Sequence, residues 1–390
     1  MANALTKNQI YTVLNSICAQ ATGSAALTAT DTSSFVTVAD KTLKSGYDTV
    51  ISAISQVLSK TIFDIRPYTR KFKELDTDAI RFGNHVRKLM ICDKPFEADT
   101  REPLTDGQSV DPWVINKPVV QQVNFYGEEV FQKSYTLFKD QLDVAFTSES
   151  EFSQFITMVT SNCSDMIEQA HENLSRYTVA NAIGGIIALN QSEQIVHLLT
   201  EYNSATGLSL TATTVYQPDN FKGFIQWAYA RIASVSEMMT ERSLLFHNNI
   251  SGKEVSRHTP KSMQNAYIYA PTKYQIDSMV YANTFNEKYL TNEGVNAEVV
   301  NFWQSIDTPD SINVKAGFTD ATGVPDSDTV TQSGIFALLF DREFMGRTTV
   351  NEWSQATPLN ARGGYSNMFF HFTDRYYVDN FENACLFLLD

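Results

Sequence analysis

The 390-residue sequence predicts an α+β fold, and three observations carry that prediction. Between residues 148 and 189, Phe152, Phe155, Ile156, Val159, Cys163, Met166, Ile167, Ala170, Leu174 and Tyr177 recur at helical spacing without a slip. In WVINKPVVQQVNFYG, Trp113, Ile115, Val119, Val123 and Phe125 all fall on odd positions, the period-two signature of a strand. The closing stretches IFALLF, NMFFHFTDRYYV and NACLFLL read as three strands that must find partners earlier in the chain.

Taken in order, residues 1–35 open with a short amphipathic stretch, Ile10, Val13, Leu14 and Ile17, and pass into ATGSAALTATDTSS, the small, polar composition of an arm. A helix is expected over 38–60, where Leu43, Tyr47, Val50, Ile51, Ile54 and Leu58 share one face. A hairpin follows, with one strand over 113–125 and its partner over 79–91. The twenty residues DKPFEADTREPLTDGQSVDP between them hold three prolines and no period, and a loop of that length generally has a task. The long helix starts at a capping box, Ser148 with Glu151. A second helix is expected over 219–242 with Asp219 as its cap, then strands at AYIYA and AEVVNFW around a helix from Pro271 to Val280, then a loop over 307–334. The last strand, apolar from Ala384 to Leu389, is expected as an inner strand beside the long helix and not as a frayed tail.

Hydrophobic residues make up 43% of the chain and charged ones 19%, enough for a sizeable core. A formal net charge of -14 argues against a protein whose task is to grip nucleic acid or an anionic membrane. Cys18, Cys92, Cys163 and Cys385 stand far apart, which indicates neither a zinc site nor a disulfide framework. MANALTKNQIYTV has no signal-peptide pattern, and the longest apolar stretch, 177–189, is interrupted by Gly184 and Gly185; no membrane association is expected.

Catalytic chemistry is nearly absent from the pattern. Among six histidines, only His171 with Glu168 has the Glu-x-x-His spacing that di-iron helix bundles use, and no second such pair exists to complete a site. The pair reads as a solvated or salt-bridged helix face, with a metal-dependent enzyme using Glu168 and His171 as the alternative from another class. Glu254 with His258 and Glu193 with His197 read as surface charge. There is no nucleophile elbow, phosphate loop, His-Glu-x-x-His or dinucleotide fingerprint, so no cofactor is expected, and Gly363–Gly364 reads as a turn. One charge feature does stand out. Arg66, Arg70, Lys71, Lys73, Arg81, Arg87 and Lys88 form a basic hairpin base, while Asp93, Glu97, Asp99, Glu102, Asp106 and Asp111 make its loop acidic. Surfaces of opposite sign on one chain favour head-to-tail self-association, which makes these the candidate intersubunit contacts.

The order of parts resembles the major capsid proteins of tailed bacteriophages, with the fold named after the Hong Kong 97 phage. At the C-terminus, Arg375, Asp379, Asn383 and Ala384 followed by CLFLL are similar to that family's arginine, charged turn and apolar terminal strand. FALLFDREFMG resembles the return from the inserted domain; HLLTEYNSATG with PDNFKGFIQWAYARI resembles the entry into it. The resemblance implies an N-terminal arm at 1–61 and an extended loop at 76–126. It also implies a peripheral domain at 62–75, 127–217 and 340–390, holding the spine helix at about 148–189, and an axial domain at 218–339. It implies a structural virion protein, assembled in the host cytoplasm into hexamers and pentamers of an icosahedral head around double-stranded DNA. Its expected partners are copies of itself, a separate scaffolding protein, a portal and decoration proteins, with DNA enclosed but not read by sequence. Portal and tail-sheath subunits are the alternatives within the virion.

Overall fold

The computed structural model describes residues 7–23, 28–64, 70–77, 86–94, 96, 104–191, 193–271 and 296–390. The expected helix from Pro271 to Val280 lies outside the described residues, apart from Pro271 itself. In chain order the helices are α1 (Lys7–Thr22), α2 (Thr32–Leu43), α3 (Tyr47–Asp64), α4 (Lys139–Ala145), α5 (Glu149–Leu189), α6 (Leu198–Thr206) and α7 (Pro218–Met238). The strands begin with β1 (Val86–Ile91), β2 (Val120–Phe125), β3 (Glu129–Phe138), β4 (Ile195–His197), β5 (Gln264–Tyr269) and β6 (Asn296–Val300). They continue with β7 (Ile312–Thr319), β8 (Pro325–Gln332), β9 (Ile335–Asp341), β10 (Met345–Ala356), β11 (Tyr365–Val378) and β12 (Ala384–Leu388). None of the described helices is long and apolar enough to cross a membrane.

The chain divides into two compact units, which cut across the four regions the resemblance implies. The first comprises Met1–Gly83, Gly127–Ser175 and Arg347–Tyr376. Its sheet has the order β10-β11-β3, with β11 antiparallel to β3 and Phe372 opposite Phe131. Along β11 the even positions from 366 to 374 are buried and the odd ones half-buried, so Met368, Phe370 and Phe372 point into the core. On that core lie α1, α2 and α3.

The N-terminal region is therefore not a loose arm. Ile10, Val13, Leu14 and Ile17 of α1 are buried against Phe35, Ile51, Ile54 and Phe152, because the amphipathic stripe is long enough to fill one side of this core. The single helix expected over 38–60 is two helices, α2 and α3, parted at Gly46, whose φ of 102° suits glycine. Asp31 caps α2 by accepting from Ser34 N at 2.7 Å. At the start of α5, Ser148 Oγ accepts from Glu151 N at 3.3 Å, half of the expected capping box. Glu149 accepts from Tyr11 Oη at 2.9 Å and Thr32 Oγ1 at 3.3 Å, fastening α1 and α2 to that end.

The second unit comprises Asn84–Tyr126, Arg176–Gly346 and Tyr377–Asp390. Its five-stranded sheet has the order β4-β12-β9-β5-β6, so the terminal strand is internal, parallel to β4 and antiparallel to β9. Cys385, Phe387 and Leu389 share their core with α6 and α7, residues Leu198, Tyr202, Phe221, Phe224 and Ile225 among them. Helix α7 starts at Pro218 with Gln217 as its cap, two residues before the expected Asp219, because proline has no N–H to satisfy there. The loop expected over 307–334 holds the antiparallel pair β7–β8. In β8 only Val330 is buried, so the strand has no apolar alternation for a reader of sequence to find.

Candidate functional site

The hairpin expected from period two is present: β1 pairs antiparallel with β2, Val86 opposite Phe125 and Ile91 opposite Val120. Residues 113–119 lie outside the ladder, and their apolar side chains face solvent. Among the described residues, 25 large hydrophobics are exposed, and 11 of these lie between Leu89 and Tyr126. Trp113 is 85% exposed and Ile115 80%, flanked by exposed Val110, Val114 and Val119. A concentration of this kind marks a surface that meets another macromolecule.

The candidate contact residues separate into groups. Arg66, Arg81, Glu97, Asp99 and Glu102 lie outside the described residues. Lys73, Arg87, Asp106 and Asp111 are exposed and Lys71 half-buried. Asp93 accepts from Ser256 N and from Arg242 Nη2, both at 2.5 Å. Lys88 and Arg70 have their charges turned inward, each into a cluster within its own unit.

In the second unit, Lys88 Nζ donates to Asp379 Oδ2 at 2.8 Å and to Glu382 Oε1, while Arg257 Nη1 stands 3.2 Å from Glu382 Oε1. Burial opposes the Lys88 charge, but Asp379 and Glu382 outweigh it and raise its pKa. The same burial raises the Glu382 pKa. The hairpin base is thereby tied to the turn before β12.

In the first unit, Glu168 and His171 prove to be buried in a charge network and not on a solvated helix face. Arg70 Nη1 donates to His171 Nδ1 at 2.9 Å, and its Nη2 donates to Asp76 Oδ2. Glu168 Oε2 is 3.7 Å from Arg70 Nη1. On the ring's other side, His171 Nε2 stands 2.8 Å from Asp374 Oδ2, and Arg347 Nη2 donates to Asp374 Oδ1 at 2.9 Å. Arg347 Nη1 closes the circuit on Asp76 Oδ1 at 3.0 Å. Two guanidinium groups occupy the space around the ring where a cation would sit, so the chemistry of the Glu168–His171 pair is ion pairing. No group of three or more metal-ligating side chains comes together among the described residues.

Electrostatics fix the ring's state. Burial lowers the His171 pKa below its ordinary value, and the neighbouring Arg347 and Arg70 charges lower it further against the pull of Asp374. Burial alone would raise the Asp374 carboxyl, yet His171 and Arg347 hold it below the usual range. A sequence signal for this network existed. Asp374 shares the inward parity of Met368, Phe370 and Phe372, and a carboxylate on a core-facing row demands a buried partner. Arg375 is likewise fully buried; its Nη2 donates to Glu128 Oε1 at 2.5 Å and its Nε to the Gly127 carbonyl at 3.2 Å.

Comparison with solved structures places this architecture among phage heads. The capsid structure of Staphylococcus phage Andhra matches with a TM-score of 0.52 at 12% identity, covering 84% of this chain and 86% of that one, a likeness of fold. A structure of bacteriophage P68 described as head fiber and inner core protein gp22 matches at 0.49 and 10% identity, over 83% of this chain and 85% of that one. The capsid of cyanophage P-SCSP1u matches at 0.45 and 12%, over 82% and 88%. A search of curated protein sequences returns no match. A family profile described as Phi29-like phage major capsid protein matches residues 14–388, nearly the whole chain. This chain belongs to the Phi29-like phage major capsid protein family, a structural component of the virion with the capsid fold its element order suggested.

Proposed function

We propose that the chain assembles with copies of itself into hexamers and pentamers of an icosahedral head that encloses double-stranded DNA, its β1–β2 hairpin and 104–119 loop lying on a neighbouring copy. The observation that carries this reading is the apolar surface of that hairpin, where Trp113, Val114 and Ile115 are exposed. Exposed Lys73 and Arg87 at its base and exposed Asp106 and Asp111 in its loop supply charges of opposite sign for head-to-tail contact. Residues 76–126 are then the extended loop, 1–61 the N-terminal region, 62–75, 127–217 and 340–390 the peripheral domain around α5, and 218–339 the axial domain. A scaffolding protein, portal and decoration proteins are the remaining partners, and the host cytoplasm the place of assembly. The net charge of -14 favours a wall from which packaged DNA is repelled and not one to which it binds. Membership of a major capsid family leaves the portal, sheath and metal-enzyme alternatives without a supporting observation.

The test is electron microscopy of the protein expressed with its neighbouring phage genes, with and without the double substitution Trp113→Ser and Ile115→Ser. Uniform round shells are expected from the unaltered chain. The variant is expected to melt like the parent, since both side chains are exposed, and to form no shells. Shells of normal yield from the variant would refute the hairpin contact.

A further inference from the structure

Residues 70–77 are the last described stretch before the hairpin, and one of their attachments to the rest of their unit is a titratable ring. Arg70 is buried and its Nη1 meets His171 Nδ1 at 2.9 Å. Guanidinium nitrogens only donate and they meet both ring nitrogens, so a neutral ring can accept from one of them; the shorter contact, from Arg70, assigns the bare nitrogen to Nδ1. The ring proton is then on Nε2, which faces Asp374 Oδ2 at 2.8 Å. Arg347 Nη2 also approaches Nε2, at 3.2 Å. Against the ring stand Arg70 from the segment, Arg347 from β10 and Asp374 from β11, with the Phe372 ring edge-on at 5.6 Å; Asp76, Glu168 and Tyr376 act on those charges from behind.

We propose that residues 70–77 form an acid-released strap, held on α5 while His171 is neutral and loosened when the ring takes up a proton. Protonation puts a hydrogen on Nδ1, where it points at the Arg70 guanidinium. The hydrogen bond is lost and replaced by repulsion, with Arg347 as a second cation beside the ring. Arg70 retains Asp76 and Glu168, but Asp76 is itself part of the strap, bonded to Arg347 at 3.0 Å, and Glu168 is at 3.7 Å. The downstream anchor is the Thr77 amide, which donates to the Arg347 carbonyl at 2.8 Å. Buried Phe72 and Leu75 resist complete detachment, so the expected motion is a local opening. Opening of this kind exposes residues 70–77 while the rest of their unit keeps its fold.

The sign follows from linkage. The closed state binds the proton less well than the open one, so closure is complete above the ordinary histidine range near ~6.5 and weakens as pH falls below it. One proton changes the opening equilibrium by at most ~tenfold per pH unit. Two measurements on the full chain test this. Histidine ring NMR, with His171 assigned by its contact to Phe372, is expected to show the neutral form protonated on Nε2 at pH ~7.5. Hydrogen exchange at residues 71–77, corrected for the intrinsic pH dependence, is expected to speed up by several-fold to ~tenfold per unit on acidification, in step with that ring's titration. The dependence should flatten in His171→Gln. A cationic ring at pH ~7.5, a proton on Nδ1, or strap exchange that ignores pH would each overturn the proposal; should the variant not fold, the two wild-type measurements decide.

Discussion

Gly184 and Gly185 sit side by side in α5, and replacing each by alanine should move stability in opposite directions. A Cβ built on Gly184 would lie 2.8 Å from both Ala316 Cβ and Val314 Cγ2 of β7. Neither neighbour can yield cheaply, since one is a methyl fixed to the backbone and the other a β-branched side chain with a stiff χ1. A Cβ on Gly185 would meet the Asn380 side-chain amide at 3.4 and 3.5 Å, a group that can rotate aside. Both substitutions gain the same helix propensity, ~1 kcal/mol, so that term cancels in the comparison. What remains is the overpacking at position 184, ~1–3 kcal/mol. At ~2–4 °C per kcal/mol for a domain of roughly 150–250 residues, Gly184→Ala should melt roughly 2–12 °C below Gly185→Ala. Differential scanning calorimetry of the unassembled subunit reads this directly. Equal melting temperatures, or a more stable Gly184→Ala, would refute the close approach of β7 to the long helix.

Three further expectations concern other parts of the core. Phe387→Ala, at a fully buried position of internal strand β12, should cost ~3–5 kcal/mol, much of a domain's ~5–15, and should appear as loss of soluble protein in expression assays. Removing residues 1–22 strips seven buried side chains of α1 from the first unit, a loss on the order of 10 kcal/mol; chemical denaturation should find no folded form of that unit. Asp374→Asn breaks a buried pairing with Arg347 and His171 and should cost ~3–5 kcal/mol at neutral pH. Because the folded carboxyl is held below its ordinary value, its contribution is present above the usual carboxylate range and fades as pH falls. Parent and variant should therefore converge in stability during an acid titration, and a gap that stays constant down to strongly acid pH would count against the pairing.

The parts of this fold that follow a strong period could be read from sequence. The unbroken 3.6 spacing of the long helix and the apolar run at Ala384 correspond to α5 and β12, while of the odd-position row only Val123 and Phe125 fall in β2. What escaped reading has physical reasons. Strand β8 carries Asp326 and Asp328 into solvent and buries only Val330, so its pairing with β7 leaves no hydrophobic trace. Helix α1 shows its stripe plainly, but whether a short amphipathic stretch packs depends on a core assembled from residues 137–156 and 368–372, far along the chain. Of the two surroundings expected for Glu168 and His171, solvated or salt-bridged, the second is found, but their burial escaped reading because a helical pair says nothing of what approaches it. Arg70, Asp76, Arg347 and Asp374 come from three other segments, and only the parity of Asp374 within β11 hinted at them.

The placement of β12 also orders events in time. Its sheet neighbours β4 and β9, and β5 and β6 beyond them, all precede it in the chain and leave the ribosome earlier. Until residues 384–388 emerge, the sheet has a gap between β4 and β9 with two unpaired edges, and the faces of α6 and α7 that cover Cys385 and Phe387 stay open. The second unit therefore completes its fold only after residues 384–388 have been translated. Growing chains crowded on one messenger do not yet possess a finished unit with which to associate.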